Sequence, residues 1–599
     1  MKSYHSSFSS LSIIQLLLFS TVMNKQWLKV NSLSNETDQL GLLKFKQGIT
    51  NDPFGVLNSW NDSLPFCNWT GITCEVGHQR VMIMELKGQN LFGNISAYIG
   101  NLSFLRTLDL QNNSLGGEVP VEVGKLFRLQ QFQINNNSLE GEIPTGLTNI
   151  SELRRIDLTY NNFLGEIPEQ LGSLPNLQML SLGANNLTGE IPASLGNLSS
   201  LLEFSVAVNN LVGTIPEDIG RITRLARFSV ALNQLSGIFP PSIYNISSIS
   251  IFSIPSNKLE GSLPDNIGLT FPNLTFFSIG LNEFSGPIPS SLANASKLSV
   301  IDIGNNHFVG QVPTNLGNLR ALRWLRLSNN SLGSNSANDF DFLASLRNCS
   351  NLEVLYTTAN NFGGVFPSSI ANLSTRLTAF DMGSNRITGT ITGALENLVN
   401  LSLLSLEYNL LTGEIPSYFG KFQKLEGFSV AGNILSGQIP TSLGNLVRLL
   451  EIDLHDNNFV GSIPPSLANC NNMYLLDLSK NNLTGSIPQQ ILLLPSLSRS
   501  ADFSGNSLTG ILPEEVGKLT AINTLDVSEN KFTGEIPSSI GDCLSLEHLF
   551  INVLLDENMV ARVTDFGSAR LVSAITGSTR SQFSTIGIKG TIGYAAPGN

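Results

Sequence analysis

An asparagine returns about every 24 residues along most of this 599-residue chain: Asn113, Asn137, Asn161, Asn185, Asn209, Asn233, Asn257, Asn282, Asn306, Asn330, Asn360, Asn385, Asn409, Asn433, Asn457, Asn481, Asn506 and Asn530. One phrase surrounds it, and Leu401 to Pro416 states it cleanly: LSLLSLEYNLLTGEIP. A period this short makes each repeat a single supersecondary unit. One such unit cannot bury its own apolar edge, so it stacks on its neighbours.

Each letter of the phrase has a physical task. Alternate residues of a strand share a face, so Leu404 and Leu406 point inward while Leu403, Ser405 and Glu407 point out. Asn409 follows where the chain turns, and its amide can satisfy backbone groups left unpaired there. Leu411 and Ile415 refill the core, Gly413 suits a tight bend, and Pro416 ends strand character. This is the phrase of a leucine-rich repeat. It predicts an α/β leucine-rich-repeat solenoid, with short parallel strands on a concave face and loops or 3-10 turns on the convex face. Net charge is −12 with no basic stripe, which argues against nucleic acid and against anionic membrane surfaces.

Residues 1–31 read as a signal peptide, because Leu11 to Met23 is a short apolar run. An ordinary helix and an uncleaved anchor are the alternatives. Residues 32–88 form an N-terminal cap holding Trp60, Phe66 and Trp69. Cys67 and Cys74 close a short loop that in a secreted chain is most simply a disulfide, since a metal site wants four ligands. No metal site is expected. Residues 89–551 carry about 19 repeats. Cys349, Cys470 and Cys543 fall in a leucine slot and read as core thiols. Sequons recur, and we take Asn68, Asn94, Asn101, Asn186, Asn245, Asn294, Asn372 and Asn400 as glycosylation candidates. The step from Asn330 to Asn360 is 30 residues; the surplus, Ser334 to Phe342, is either a contact loop or a tolerated bulge.

The outward strand positions are where such arrays bind ligands. Val208, Leu232, Phe276 and Leu281 are apolar there, and Trp324, Arg326 and Tyr356 follow. Aromatics and arginine dominate binding hot spots. A peptide or protein ligand is therefore placed at Phe276, Leu281, Trp324, Arg326 and Tyr356, with Arg155 and Tyr160 as an outlying patch. Glu407, Tyr408, Glu451, Asp453, His455 and Asp456 make an acidic stretch suited to a basic partner segment.

From Asn552 the repeats stop. Asn552 and Asp565-Phe566-Gly567 are spaced as in a protein-kinase catalytic loop and activation segment, and Ala596-Pro597 is similar to the start of the motif that closes it. Together with the cap and the repeats, they make the chain resemble plant leucine-rich-repeat receptor-like serine/threonine kinases, in the style of the immune receptors for bacterial flagellin and elongation factor Tu. The resemblance implies a cell-surface receptor in immune or developmental signalling, whose ectodomain binds a microbial or endogenous peptide, and a co-receptor kinase near the C-terminal repeats. ATP and Mg²⁺ are implied by the family only. No span, glycine-rich loop or H-R-D motif separates the two parts, so residues 552–599 read as a kinase remnant unlikely to fold alone. We expect no cofactor and no phosphoryl transfer by this chain, an open apolar edge on the last repeat, and location in the secretory pathway, at the cell surface or in the apoplast. The alternatives are an active receptor kinase and a secreted decoy.

Overall fold

The computed structural model describes residues 35–555, 561–572 and 588–589. They fall into two compact units divided between Leu235 and Ser236. The signal segment expected over 1–31 lies outside the described residues, as does Ala596-Pro597.

The first unit opens with the helix Asn35–Gly48, which buries Leu42 and Phe45. Phe45 tilts against Trp60, which stacks on Trp69 at 5.5 Å. Cys67 and Cys74 are disulfide-bonded. The sequence reading misses one feature of this cap. Asp38 is fully buried and takes a bidentate pair of bonds from Arg80, Nε at 2.9 Å and Nη2 at 2.7 Å, plus the Val81 amide at 2.9 Å. A buried charge needs such complete partnering.

Beyond the cap, strands of three residues pair in parallel, residue for residue: Thr107–Asp109, Gln131–Gln133, Arg155–Asp157, Met179–Ser181, Glu203–Ser205 and Arg227–Ser229. Their central residues, from Leu108 to Phe228, form the core. The expectation of one strand per repeat is too spare. A second parallel ladder runs through Ser114–Glu118, Ser138–Glu142, Asn162–Glu166 and Asn186–Thr188. The second residue of each of these strands, Leu or Phe, is also buried, so the apolar residue after the asparagine belongs to a strand of its own. Prolines such as Pro120 (φ −66°) then lead into a 3-10 turn.

The second unit repeats this plan. Its first ladder runs from Ile251–Ser253 through Phe276–Ser278, Val300–Asp302, Trp324–Arg326, Val354–Tyr356, Ala379–Asp381 and Leu403–Ser405, and continues to Thr524–Asp526 and His548–Leu555. Gly413 has φ +82°, and a Cβ there would lie 3.0 Å from Thr390 Cγ2, so the bend and the neighbouring repeat both demand glycine.

The asparagines act as the phrase predicts. Asn306 Nδ2 donates to the carbonyls of Ile279 in the preceding repeat (3.0 Å) and Ile303 in its own (3.1 Å). Its Oδ1 accepts from the Phe284 amide at 3.0 Å. Each copy thus sews two repeats together.

The insertion after Asn330 is packed into the array by its own side chains. Asp341–Leu346 is a short helix, and Phe340 and Phe342 pack on Phe362 with ring centroids 5.3 and 6.1 Å away. Asp339 is buried and accepts bonds from the amides of Ser334, Ser336 and Gly363 and from Gln311. Cys349, Cys470 and Cys543 are buried free thiols. At the C-terminal end, residues 561–572 form a strand antiparallel to His548–Leu555. The hydrogen-bonding edge of the last ladder strand is therefore covered by backbone. The pairing slips between Asn552, opposite Ser568, and Val553, opposite Val563, and Asp565-Phe566-Gly567 stands in that slip.

Candidate ligand-binding face

In the second unit the parallel register turns residues distant in sequence into rows. The first outward row reads Ile251, Phe276, Val300, Trp324, Val354, Ala379 and Leu403 on seven consecutive strands. Outward positions on one sheet face are normally polar, but here a strip of seven neighbours is apolar: Trp324 is exposed, Ile251, Phe276, Val300 and Leu403 are partly exposed, and Val354 and Ala379 are buried. The strip is backed by a rigid floor: Phe252 and Phe277 stack at 5.5 Å, and Ile301, Leu325, Leu355 and Phe380 are buried beneath the other strands.

The second row reads Ser253, Ser278, Asp302, Arg326, Tyr356, Asp381 and Ser405. The Arg326 guanidinium sits 5.3 Å from the Trp324 ring centroid and 5.5 Å from that of Tyr356, within cation–π range. Burial pushes the Tyr356 hydroxyl up from its ordinary range, against the pull of Arg326. Burial also raises the Asp381 carboxyl, partly offset by the Gly383 amide.

Phe276, Trp324, Arg326 and Tyr356 are thus brought together as the sequence predicts. Leu281 is not in their rows. It is half-exposed in the turn after the strand, with φ +55°, and Val208 (φ +59°) and Leu232 (φ +50°) hold the same turn position in the first unit. The strands are three residues long, so the residue before each ladder asparagine has already left the sheet in a left-handed turn. In the first unit Tyr160 is an exposed turn residue of the same kind, and Arg155 Nη2 contacts Met179 Sδ at 3.3 Å.

The acidic stretch is also built by register. Asp453, Asp477, Asp502 and Asp526 stand opposite one another on four successive strands. Tyr408 lies across Gly432, where a Cβ would sit 2.4 Å from its ring, and its hydroxyl meets His455 Nε2 at 3.2 Å. His455 Nδ1 is 2.7 Å from Asp453 Oδ1, and this bond raises the imidazole pKa against the effect of burial. Asp453, His455 and Asp477 bring their donor atoms within 4.8 Å of one another, the spacing of a metal-ligand set. Both imidazole nitrogens are already engaged by protein groups.

Among the sequons, Asn68, Asn94, Asn186, Asn245, Asn294 and Asn372 are exposed, while Asn101 and Asn400 are half-buried. Asn400 Nδ2 donates to Thr375 O at 2.8 Å.

Residues 35–75 match the family described as leucine rich repeat N-terminal domain. Residues 104–126, 152–174, 176–198, 297–319, 400–422, 448–470 and 521–543 match the family described as Leucine Rich Repeat. The LRR receptor-like serine/threonine-protein kinase EFR of Arabidopsis thaliana is 68% identical over 375 residues, 62% of this chain and 36% of that protein. This chain therefore spans about a third of that relative's length. Among solved structures, the plant peptide hormone receptor RGFR1 in complex with RGF2 is 32% identical with a TM-score of 0.68, covering 77% of this chain and 73% of that one. The Arabidopsis receptor kinase HAESA in complex with the peptide hormone IDA and the co-receptor SERK1 is 28% identical with a TM-score of 0.62, covering 88% and 99%. The repeats, the cap and the row-built face define a leucine-rich-repeat receptor ectodomain. The chain belongs to the plant leucine-rich-repeat receptor kinases. Among the described residues, no helix is long and apolar enough to cross a membrane.

Proposed function

We propose that this chain is the ligand-recognition part of a plant cell-surface receptor, and that it captures an extended peptide or protein segment on the outward strand face of the second unit. Phe276, Trp324 and Tyr356 anchor the ligand, Arg326 orients it, and Leu281 lines the rim. One observation carries this reading: seven consecutive outward strand positions are apolar, five of them at least partly exposed, on a face whose neighbouring row is polar. Ile251, Phe276, Val300 and Trp324 form an unbroken accessible run in it, and contiguous accessible apolar surface marks interaction sites. The complexes of RGFR1 with RGF2 and of HAESA with IDA support a peptide as ligand class, and SERK1 in the HAESA complex supports a co-receptor as second partner. The same kinship supports a location on the extracellular side, with glycans on the exposed sequons.

The test is photo-crosslinking from inside the strip. The full chain carrying benzoylphenylalanine in place of Val300 is exposed to extracellular fluid of plant tissue, and adducts are read by mass spectrometry. Specific peptide adducts are expected, reduced about tenfold to a hundredfold by Trp324→Ala, the range of a hot-spot loss. Adducts no different from those of the same group at Val399, an exposed residue outside the strip, reject the reading.

A further inference from the structure

His455 stands where two neighbouring strands bring carboxylates to it. Asp453 ends the strand Glu451–Asp453, His455 follows in the turn, and Asp477 stands opposite Asp453 on the next strand. His455 Nδ1 is 2.7 Å from Asp453 Oδ1 and 3.9 Å from Asp477 Oδ2. One imidazole nitrogen and two carboxylates from two successive repeats thus converge. All three side chains are partly exposed, so an ion has access from solvent. The sequence gives no sign of this set, because Asp477 joins the other two only through the parallel register.

The carboxylates hold oxygen in reserve. Asp453 Oδ1 accepts from the His455 amide at 3.1 Å and faces its ring, and Asp477 Oδ1 accepts from the Ser479 amide and hydroxyl at 3.0 and 2.7 Å. Among the described residues no hydrogen bond reaches Asp453 Oδ2 or Asp477 Oδ2, and no lysine or arginine comes within 4.0 Å of either group. Two carboxylates on adjacent strands therefore share one imidazole as their basic partner. Tyr408 holds the far side of that ring: its hydroxyl meets His455 Nε2 at 3.2 Å, and the ring centroids lie 5.9 Å apart, edge to face. A phenol both donates and accepts, so Tyr408 keeps its bond when the ring proton sits on Nε2. Nδ1 then presents its lone pair to the two aspartates. Metal-bound histidines are held by such a contact on the other nitrogen, which fixes tautomer and ring orientation.

We propose that Asp453, His455 and Asp477 bind a divalent transition-metal ion of the zinc class, through His455 Nδ1 and one oxygen of each aspartate, with Tyr408 as the positioning residue. A nitrogen ligand beside two carboxylates suits zinc, whereas calcium and magnesium are held by oxygen alone. The ion takes the place of the bond between His455 and Asp453, and the ring proton resides on Nε2, where the Tyr408 oxygen accepts it. Bound there, the ion ties two successive repeats through side chains as well as backbone. Three protein ligands leave a coordination position open to water. The site is separate from the apolar strip and is independent of any peptide bound there.

The full chain, stripped with a chelator, is titrated separately with zinc, manganese, calcium and magnesium chlorides. Uptake is read by calorimetry and the histidine rings by nitrogen-15 NMR. The chain has five histidines, and His455→Gln assigns the ring of interest by its disappearance. Zinc is expected to bind more tightly than manganese, the general order for nitrogen and oxygen ligands, and calcium and magnesium are expected not to compete. The His455 signal should move at Nδ1 while Nε2 stays protonated. His455→Gln and Asp477→Asn should each weaken zinc binding at least about tenfold, and Tyr408→Phe about tenfold through loss of the outer contact. Asp477→Asn keeps an acceptor for the Ser479 amide, and the ring signal of the unaltered chain needs no variant at all. Zinc uptake that survives both ligand variants, a shift at Nε2 in place of Nδ1, calcium binding as tightly as zinc, or a His455 ring that excess zinc leaves unmoved each overturns the inference.

Discussion

Asn306 carries more hydrogen bonds per atom than its size suggests. Two amide protons and one oxygen serve carbonyls of two repeats and one backbone amide. Asn306→Ala leaves those groups buried and unpaired, at about 1–3 kcal/mol for each group. The expected result is local: hydrogen exchange at Phe284 and its neighbours accelerates, while Ile452, six strands further on, keeps its protection. The residue scale is where the sequence is most legible. A ladder asparagine, an inward leucine or a bend glycine is fixed by local backbone demands, and a period exposes each of them. Arg326 is legible as an arginine but not as one whose Nε is buried without a hydrogen-bond partner. Its isolation depends on where Asp302 and Asp381 turn, and that is set by amides two residues on, in the turn that follows each strand.

At the scale of elements, the inserted segment before Asn360 shows how an irregular stretch acquires structure. Burial pushes the Asp339 carboxyl up, but the bonds from Gln311, Ser336 and Gly363 outweigh it and hold the group at about 2. Its folded value lies below the free value of 3.8, so its stabilisation is complete above that value and is lost as pH falls toward 2. Pepsin should therefore cut at Phe340 or Phe342 only in strong acid, whereas Asp339→Ala should open these bonds to chymotrypsin at neutral pH. Resistance of the variant at pH 7 would show that aromatic packing alone holds the segment. Sequence leaves this element ambiguous because its support comes from Gln311 and Gly363 in neighbouring repeats. The second ladder is hidden for a related reason: its alternation spans only three to five residues and is interrupted by a glycine. Leu281 is misread as a strand residue because nothing in the phrase marks where the strand ends.

For the molecule as a whole, the row of Asp453, Asp477, Asp502 and Asp526 makes stability respond to pH. Burial raises the carboxyls of Asp477, Asp502 and Asp526, and neighbouring aspartates add to the rise. A folded pKa above the free value means that the folded chain holds these protons longer. Their contribution to stability is therefore greatest at low pH and is lost as pH rises through the folded values. Asp502→Asn keeps an acceptor for the Ser504 amide and removes the repulsion. It should raise the melting temperature of the metal-free chain at pH 7 by more than at pH 4.5, and an equal shift at both pH values would reject the repulsion. The parallel register that builds this row also builds the ligand face, and it has a metrical consequence. Residues that touch the same short stretch of ligand are about 24 apart in sequence, so a mutational scan of the site will look scattered along the chain while being contiguous in space. Duplicating one repeat between Phe276 and Trp324 inserts one rung of about 4.8 Å and alters no side chain already present. Repeat number is thus a ruler, set separately from the chemistry of the marks upon it.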